Sequence, residues 1–437
     1  MKLFFETSDA VNSDAVRETA QTLAPYIESL NSIAEKNTYE EDEASLNLPF
    51  DKELLSKVKI VTDEKVTDKL KYIFVVGIGG SNLGTKAIYD SVYGVNDIAD
   101  QDRPRIIFVD TNNSAMLRTY VEQVIPSLTT KEEYLLITIS KSGGTTETLA
   151  NTEILQDALK QKFPESLDRI VVITDEGSAY AKAAEEKSIA VLAIPKNVGG
   201  RYSVLSAVGV FPLAAIGLDV GSLQKGAQDI RSYCLKTDIE NNPAVQSAAI
   251  LANAMRDGKT INDNFVFNSE LESLGKWYRQ LMGESVGKEN DLDGKKVNTG
   301  LTPTVSVGST DLHSVGQLYL GGPLDKITTF IYSTDTSNGL NMPKERTFPA
   351  VVEMINDVST VDIMDAILGG TKIAYNKKQI PFMEVQLEAI TPYELGAFMQ
   401  FKMMEMMYLG KLLNVNPFNQ PNVESYKIET KQLLETK

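Results

Sequence analysis

Tyr72-Ile73-Phe74-Val75-Val76-Gly77-Ile78-Gly79-Gly80-Ser81-Asn82-Leu83-Gly84 is the stretch that decides how this chain folds. Five apolar residues without polar alternation suit a strand buried on both faces, as in a parallel sheet. The glycines that follow let the backbone approach a ligand and turn into a helix whose N-terminal amides attract anions. The pattern repeats outward from this point. Arg105–Val109, Leu135–Ile139, Ile170–Thr174 and Ile189–Ile194 are short apolar runs separated by helix-length segments, which predicts a parallel sheet covered on both faces. After a helical interval, roughly 203–257, a weaker series follows: Asn264–Asn268, Thr304–Val307, Ile327–Tyr332 and Phe382–Leu387. Two similar α/β halves are therefore expected. Residues 1–45 read as a helical N-terminal arm around Leu23, Tyr26, Ile27, Leu30 and Ile33, with 35–45 as its loop. Pro392–Leu413 reads as a Met- and Leu-rich helix, and a last helix begins near Asn419. The expected division is 1–45 as the arm, 46–215 and 216–415 as two α/β domains, and 416–437 as a C-terminal helix.

A chain of 437 residues has room for two or three domains. Lys and Arg number 43 against 59 Asp and Glu, a formal charge of −16. Such a surface repels nucleic acid and anionic lipid, so neither is an expected partner, and an anionic ligand needs a local cationic or N–H site. One cysteine, Cys234, and one histidine exclude a disulfide framework, a thiolate cluster and a multi-histidine metal site. The start, MKLFFETSDAV, meets Glu6 and Asp9 too soon for a signal peptide. The uncharged run Ser203–Leu218 is short for a membrane span and holds Pro212, so it reads as a buried helix. A soluble cytoplasmic protein is expected.

A second loop follows the third run: Ser140-Lys141-Ser142-Gly143-Gly144-Thr145-Thr146-Glu147-Thr148-Leu149. Five hydroxyls and two glycines crowd a strand-to-helix turn, where amides and hydroxyls together can satisfy the oxygens of a phosphate monoester. The same residues could instead be a helix cap with incidental serines and threonines, but the density of hydroxyls favours phosphate. The first loop also admits a dinucleotide reading, with Asp110 at the next strand's end as the ribose acid.

Candidates for proton transfer lie further on. Leu271, Leu274, Trp277, Leu281 and Met282 mark a helix that Gly283 would end, placing Glu284 just past it and able to reach a cleft. Glu272 and Lys276 repeat the same letters within the helix and read as a solvated i,i+4 ion pair. His313 sits in a strand-to-helix turn, with Thr310 or Asp311 as the expected N-cap; a lone histidine there is either structural or an acid–base group. Arg201, between a glycine pair and a buried helix, calls for a fixed anionic partner. Lys427, taken alone, is a solvated lysine on a terminal helix.

Together VVGIGGSNLG, ISKSGGTTETL, NVGGRYSVLSAVG, WYRQLMGESVGKE, STDLHSVGQ and PFNQPNVESYK resemble the glucose-6-phosphate isomerase (phosphoglucose isomerase) family in its shorter bacterial form. The resemblance runs in family order from about residue 45 to 430. It implies two sugar-isomerase-type α/β sandwich domains, each with a mainly parallel sheet flanked by helices, plus the arm and C-terminal helices. It also implies reversible aldose–ketose isomerisation of D-glucose 6-phosphate and D-fructose 6-phosphate through a cis-enediol(ate), in glycolysis and gluconeogenesis, with no metal or other cofactor.

By the same resemblance Gly80, Ser81, Ser140, Lys141, Ser142, Thr145 and Thr148 match positions that hold the sugar's 6-phosphate. Glu284 matches the base moving a proton between C2 and C1, and Arg201 the cation that stabilises the intermediate. His313 and Lys427 match groups assisting ring opening, and Gln420 one lining the site. The histidine enters from the partner subunit in the family, which implies a homodimer with shared sites. The departures are Asn422 where a small residue is usual, with local left-handed backbone expected; Lys86 where Arg is common; and Asn82 at a commonly aromatic position. Other phosphosugar isomerases, a non-catalytic sugar-phosphate sensor on the same fold and an NAD-dependent oxidoreductase stand as alternatives.

Overall fold

The computed structural model describes residues 1–95 and 103–436; Lys437, the last residue of the expected C-terminal segment, lies outside them. The strands among the described residues are β1 (Lys2–Phe4), β2 (Tyr72–Val76), β3 (Arg105–Val109), β4 (Tyr134–Ile139), β5 (Ile170–Asp175), β6 (Ala190–Ile194), β7 (Ile261–Val266), β8 (Lys288–Asn290), β9 (Lys296–Thr299), β10 (Thr302–Val307), β11 (Lys326–Ser333) and β12 (Phe382–Leu387). The chain divides into two compact units, one of 29–231 with 395–403, the other of 1–28, 232–394 and 404–437. The boundary near residue 231 lies beyond the 215 expected from the run pattern, and the N-terminal arm contributes to both units.

In the first unit the sheet order is β3-β2-β4-β5-β6, parallel throughout. The chain steps from β2 outward to β3, then crosses back over β2 to β4. Loops leaving the carboxyl ends of β2 and β4 therefore diverge and open a crevice at that switch point. Phe74, Leu136 and Val172 from the strands pack with Leu155 and Leu159 of the helix Thr146–Lys162 to bury the sheet's face.

The second unit repeats the order. β10-β7-β11-β12 are parallel, with β7 first in sequence and β10 second, and β1 adds to the edge antiparallel to β12. Its core is a cluster of rings in which Phe330 meets Tyr375 and Phe382 at centroid distances of 5.3 Å. The two α/β halves are thus as the sequence led one to expect.

Three local expectations need correction. The arm is not wholly helical: Lys2–Phe4 forms β1, because β12 offers an open edge some 380 residues away. The strand expected at Asn264 begins at Ile261. Asn262, Asp263 and Asn264 are polar yet all buried; neighbouring strands answer the first two, and Asn264 Nδ2 donates to Asn262 Oδ1 at 3.3 Å. Asp263 Oδ1 accepts from Thr304 Oγ1 at 2.6 Å and Ser306 Oγ at 3.1 Å, and Asn262 Nδ2 donates to Thr329 Oγ1 at 3.2 Å. Within Ser203–Leu218 the helix is only Ala207–Ala215, because the Ser206 hydroxyl accepts from the Val208 amide and fixes its start. No described helix is long and apolar enough to cross a membrane.

Burial pushes the Asp263 carboxyl above the ordinary range, partly opposed by the Thr304 and Ser306 hydroxyls. A raised pKa means that the folded state holds the proton longer, so this group's contribution to stability is greatest in acid and is lost as pH rises through the raised value. Asp263→Asn keeps an acceptor for both hydroxyls and carries no charge. It is expected to be more stable than the natural chain by about 1 kcal/mol near neutrality, with the gain vanishing below pH ~4, where the ordinary aspartate also protonates. Thermal melts of both proteins at the two pH values check this.

Candidate active site

The first unit gathers the hydroxyl-rich loops at its switch point. After β2, Gly79–Ser81 form a single tight turn that leads into the helix Leu83–Tyr93. After β4, Ser140 to Thr145 lead into the helix Thr146–Lys162. Ser140 is buried and its Oγ lies 3.0 Å from Thr145 Oγ1. Thr145 is the N-cap residue, but its hydroxyl makes no cap bond to the helix. The first-turn amides, which have no partner inside a helix, are therefore left directed outward from its end. Ser142 and Thr146 are exposed beside them. The Thr148 hydroxyl is buried and makes no hydrogen bond among the described residues. Lys141 Nζ donates to the Lys196 carbonyl at 2.6 Å. The loop turns at Gly143, whose φ of +68° and closeness to Tyr180 Cβ exclude a side chain.

Gly80 joins the first loop to Arg201. A Cβ at Gly80 would stand 2.2 Å from the Gly200 carbonyl carbon and 2.7 Å from the Arg201 amide nitrogen. Without one, the two backbones pack in contact and the turn Gly200–Tyr202 is held against the loop. Arg201 is 2 % exposed, its guanidinium 5.3 Å from the Tyr202 ring centroid. At the end of β5, burial pushes the Asp175 carboxyl up while Lys141 and Lys196 oppose the shift. Asp110, the acid a dinucleotide reading would give to a ribose, accepts instead from Asn82 Nδ2 at 3.3 Å.

The second unit holds the remaining candidates. Glu284 does not follow a helix: Glu272–Val286 is helical, and Glu284 occupies its last turn. Gly283 fails to end the helix because its carbonyl accepts the Gly287 amide at 3.1 Å, closing one more turn. The Glu284 carboxylate accepts from Gln280 Nε2 at 3.0 Å and is half-buried. Gln280 was not singled out from sequence, although its i−4 spacing from Glu284 was the signal available. Glu272 and Lys276 pair at 2.6 Å on the half-exposed face, as expected.

His313 is exposed, just past β10. The turn is capped by neither expected residue: Ser309 precedes the short helix Thr310–Leu312, and the Asp311 carboxylate is taken by the Val307 amide and the Ser314 hydroxyl, each at 2.7 Å. Gln420 is exposed. The last helix starts at Glu424, not near Asn419, because Pro421–Val423 first make a 3-10 turn. Asn422 lies in that turn and not in left-handed backbone; its side chain donates to Glu289 Oε2 at 3.1 Å. Lys427 is exposed and pairs with Glu424 at 2.7 Å.

Glu284 and His313 occupy opposite ends of β10. The helix carrying Glu284 runs into β8, where Lys288 lies opposite Thr299, just before β10 begins. His313 follows the other end. Six strand residues lie between them, about 20 Å at ~3.3 Å each.

Residues 52–437 match the family model described as phosphoglucose isomerase. A glucose-6-phosphate isomerase of Methanocaldococcus jannaschii is 30 % identical over 407 residues, 92 % of this chain and 94 % of its own length. One from Carboxydothermus hydrogenoformans is 31 % identical over 379 residues, 85 % of this chain and 81 % of that one. Among solved structures, a hypothetical protein from Thermus thermophilus matches over 99 % of both chains with a TM-score of 0.86 at 26 % identity. A glucose-6-phosphate isomerase from Chlamydia trachomatis shares the fold, with a TM-score of 0.74 at 22 % identity over 90 % of this chain and 74 % of that one.

Gly80→Ala is expected to force the Arg201 turn away from the loop and to cost about 1–3 kcal/mol. At Gly144 a Cβ would meet only Ser142 Oγ, at 4.0 Å. Gly144→Ala should therefore stay within about 0.5 kcal/mol of the natural chain. Denaturant melts of the two variants make the comparison.

Proposed function

The chain belongs to the phosphoglucose isomerase family, and on that premise we propose that it interconverts D-glucose 6-phosphate and D-fructose 6-phosphate. The observation that supports this most is the Gly80–Gly200 contact, which holds the turn carrying Arg201, a permanent cation, against the first of the two glycine- and hydroxyl-bearing loops. The 46–215 domain then takes the 6-phosphate with Gly80, Ser81, Ser140, Lys141, Ser142, Thr145 and Thr148. The 216–415 domain supplies the proton transfer.

A C–H beside a carbonyl is a poor acid, so its removal needs a placed carboxylate and a charge that stabilises the enediolate. Glu284 serves as the base between C2 and C1, with Gln280 orienting one of its oxygens. Arg201 stabilises the intermediate, since a guanidinium keeps its proton. His313 and Lys427 assist ring opening, where one proton goes to the ring oxygen and another leaves the anomeric hydroxyl. Gln420 lines the site. This chemistry calls for no metal or redox cofactor.

The length of β10 favours a shared site. A histidine about 20 Å of strand away from Glu284 serves another subunit's carboxylate better than its own, so the working form is a homodimer with His313 crossing to the partner. Cytoplasmic location and the absence of nucleic-acid or membrane partners follow from the acidic composition and the glycolytic role.

With fructose 6-phosphate supplied and glucose 6-phosphate detected by its dehydrogenase, the purified protein should turn over without added metal and unchanged by chelator. Mannose 6-phosphate run in parallel reports the competing isomerase readings. Glu284→Gln should lower kcat by about 10²–10⁴ while sugar phosphate still binds; near-normal activity would remove Glu284 from its role.

Subunit mixing tests the shared site. Glu284→Gln and His313→Ala homodimers, each impaired, should regain activity when unfolded and refolded together, because each hybrid dimer assembles one site with both natural groups. Mixtures no more active than the separate variants would put His313 in its own subunit's site.

A further inference from the structure

Lys288 closes the segment Glu284-Ser285-Val286-Gly287-Lys288, yet the chemistry above gives it no part. It is 6 % exposed. A buried ammonium has three donors and no acceptor, and it is costly unless those donors are met. Lys288 Nζ donates to the Glu284 carbonyl at 2.8 Å, to Asn419 Oδ1 at 3.2 Å and to the Asn419 carbonyl. The first acceptor is among the last carbonyls of the helix Glu272–Val286, which lack donors inside the helix and favour a cation. The others belong to the residue immediately before Gln420. One ammonium thus joins stretches of chain 131 residues apart.

The seam around it carries several further hydrogen bonds. The Leu292 amide donates to the Asn414 carbonyl and Asn414 Nδ2 to Asp293 Oδ2, both at 2.8 Å. Asn416 Oδ1 accepts the Phe418 and Asn419 amides at 2.8 and 3.3 Å, shaping the turn that aims Asn419 at Lys288. A polar cleft of about 380 Å³ runs along the seam. Beyond it, the helix Glu424–Glu435 has no buried residue, and Asn422 Nδ2 adds one further bond across the seam, to Glu289 Oε2 at 3.1 Å.

We propose that Lys288 is a positioning residue: it holds the end of the Glu284 helix and the Gln420–Lys427 segment in one register, and so sets the spacing between the proton-transferring carboxylate and Lys427. The inference rests on the isomerase reading. Lys288 acts through the two chain segments and does not touch substrate.

Lys288→Met keeps the stem and deletes the donors. Its kcat with fructose 6-phosphate should fall about 10- to 100-fold, the cost of a small misplacement, while KM stays within about threefold. Lys288→Arg restores donors and should recover most of that loss. A readout independent of turnover is trypsin cleavage after Lys427 and Lys431, expected to be several-fold faster in Lys288→Met than in the natural chain and near the natural rate in Lys288→Arg. Should Lys288→Met fail to fold, Asn416→Ala, which loosens only the turn presenting Asn419, should show the same lowered kcat, unchanged KM and faster cleavage.

Unchanged kcat and cleavage in the folded variant would overturn the proposal. So would a raised KM with unchanged kcat, the mark of a substrate contact, or an Arg variant as impaired as the Met variant. If the natural chain does not turn over fructose 6-phosphate, the isomerase reading falls, and the cleavage rates alone then support or overturn the tether.

Discussion

Parallel strands cannot be joined by a tight turn; each is reached by a crossover that returns the chain to the same end of the sheet, and the rest of this molecule is arranged by that requirement. In each unit the second strand goes to one side of the first and the third to the other. The loops leaving the first and third strands must part, and a crevice results without any residue being spent on making it. Loop composition then decides its use. In the first unit Ser140, Ser142, Thr145 and the glycines occupy it, and the close approach of Gly80 to Gly200 holds the turn carrying Arg201 against the first loop. In the second unit the crossover helix Glu272–Val286 carries Glu284 away from the carboxyl edge, while the turn after β10 keeps His313 there. The hydroxyl-rich loops and the proposed acid–base residues Glu284 and His313 thus lie in different halves of the chain, and those two residues are themselves split between the two ends of a strand.

Much of this was legible in the sequence because its signals are local. A continuous apolar run, a glycine turn and a helical period lie within about thirty residues, and the hydroxyls of 140–148 point to an anion wherever the loop sits. What was not legible depends on partners distant in sequence. The polar Asn262 and Asp263 enter a buried strand because Thr304, Ser306 and Thr329 supply their hydrogen bonds from neighbouring strands. Lys2–Phe4 becomes a strand only because β12 exposes an edge.

The site divides along the same line. The sequence puts Glu284 just past a helix, since a glycine near a helix end usually stops it, whereas Gly283 does not and Glu284 lies in the last turn. Gln280 needed only the i,i+4 rule, whereas the meeting of Lys288 with Asn419 crosses too much chain for any spacing to announce it. That His313 and Glu284 lie at opposite ends of β10 follows from topology, and no motif carries topology.

The most direct test of the chemistry proposed for Glu284 is the isomerisation of fructose 6-phosphate in deuterium oxide, with the product's C2 position read by NMR. A proton carried by a carboxylate between C1 and C2 exchanges with solvent while it is held, so glucose 6-phosphate should gain deuterium at C2. Product whose C2 still holds only the protium moved from C1 after many reversible turnovers at equilibrium, long enough for even a shielded carboxylate to exchange, would point to direct hydride transfer and contradict the enediolate route.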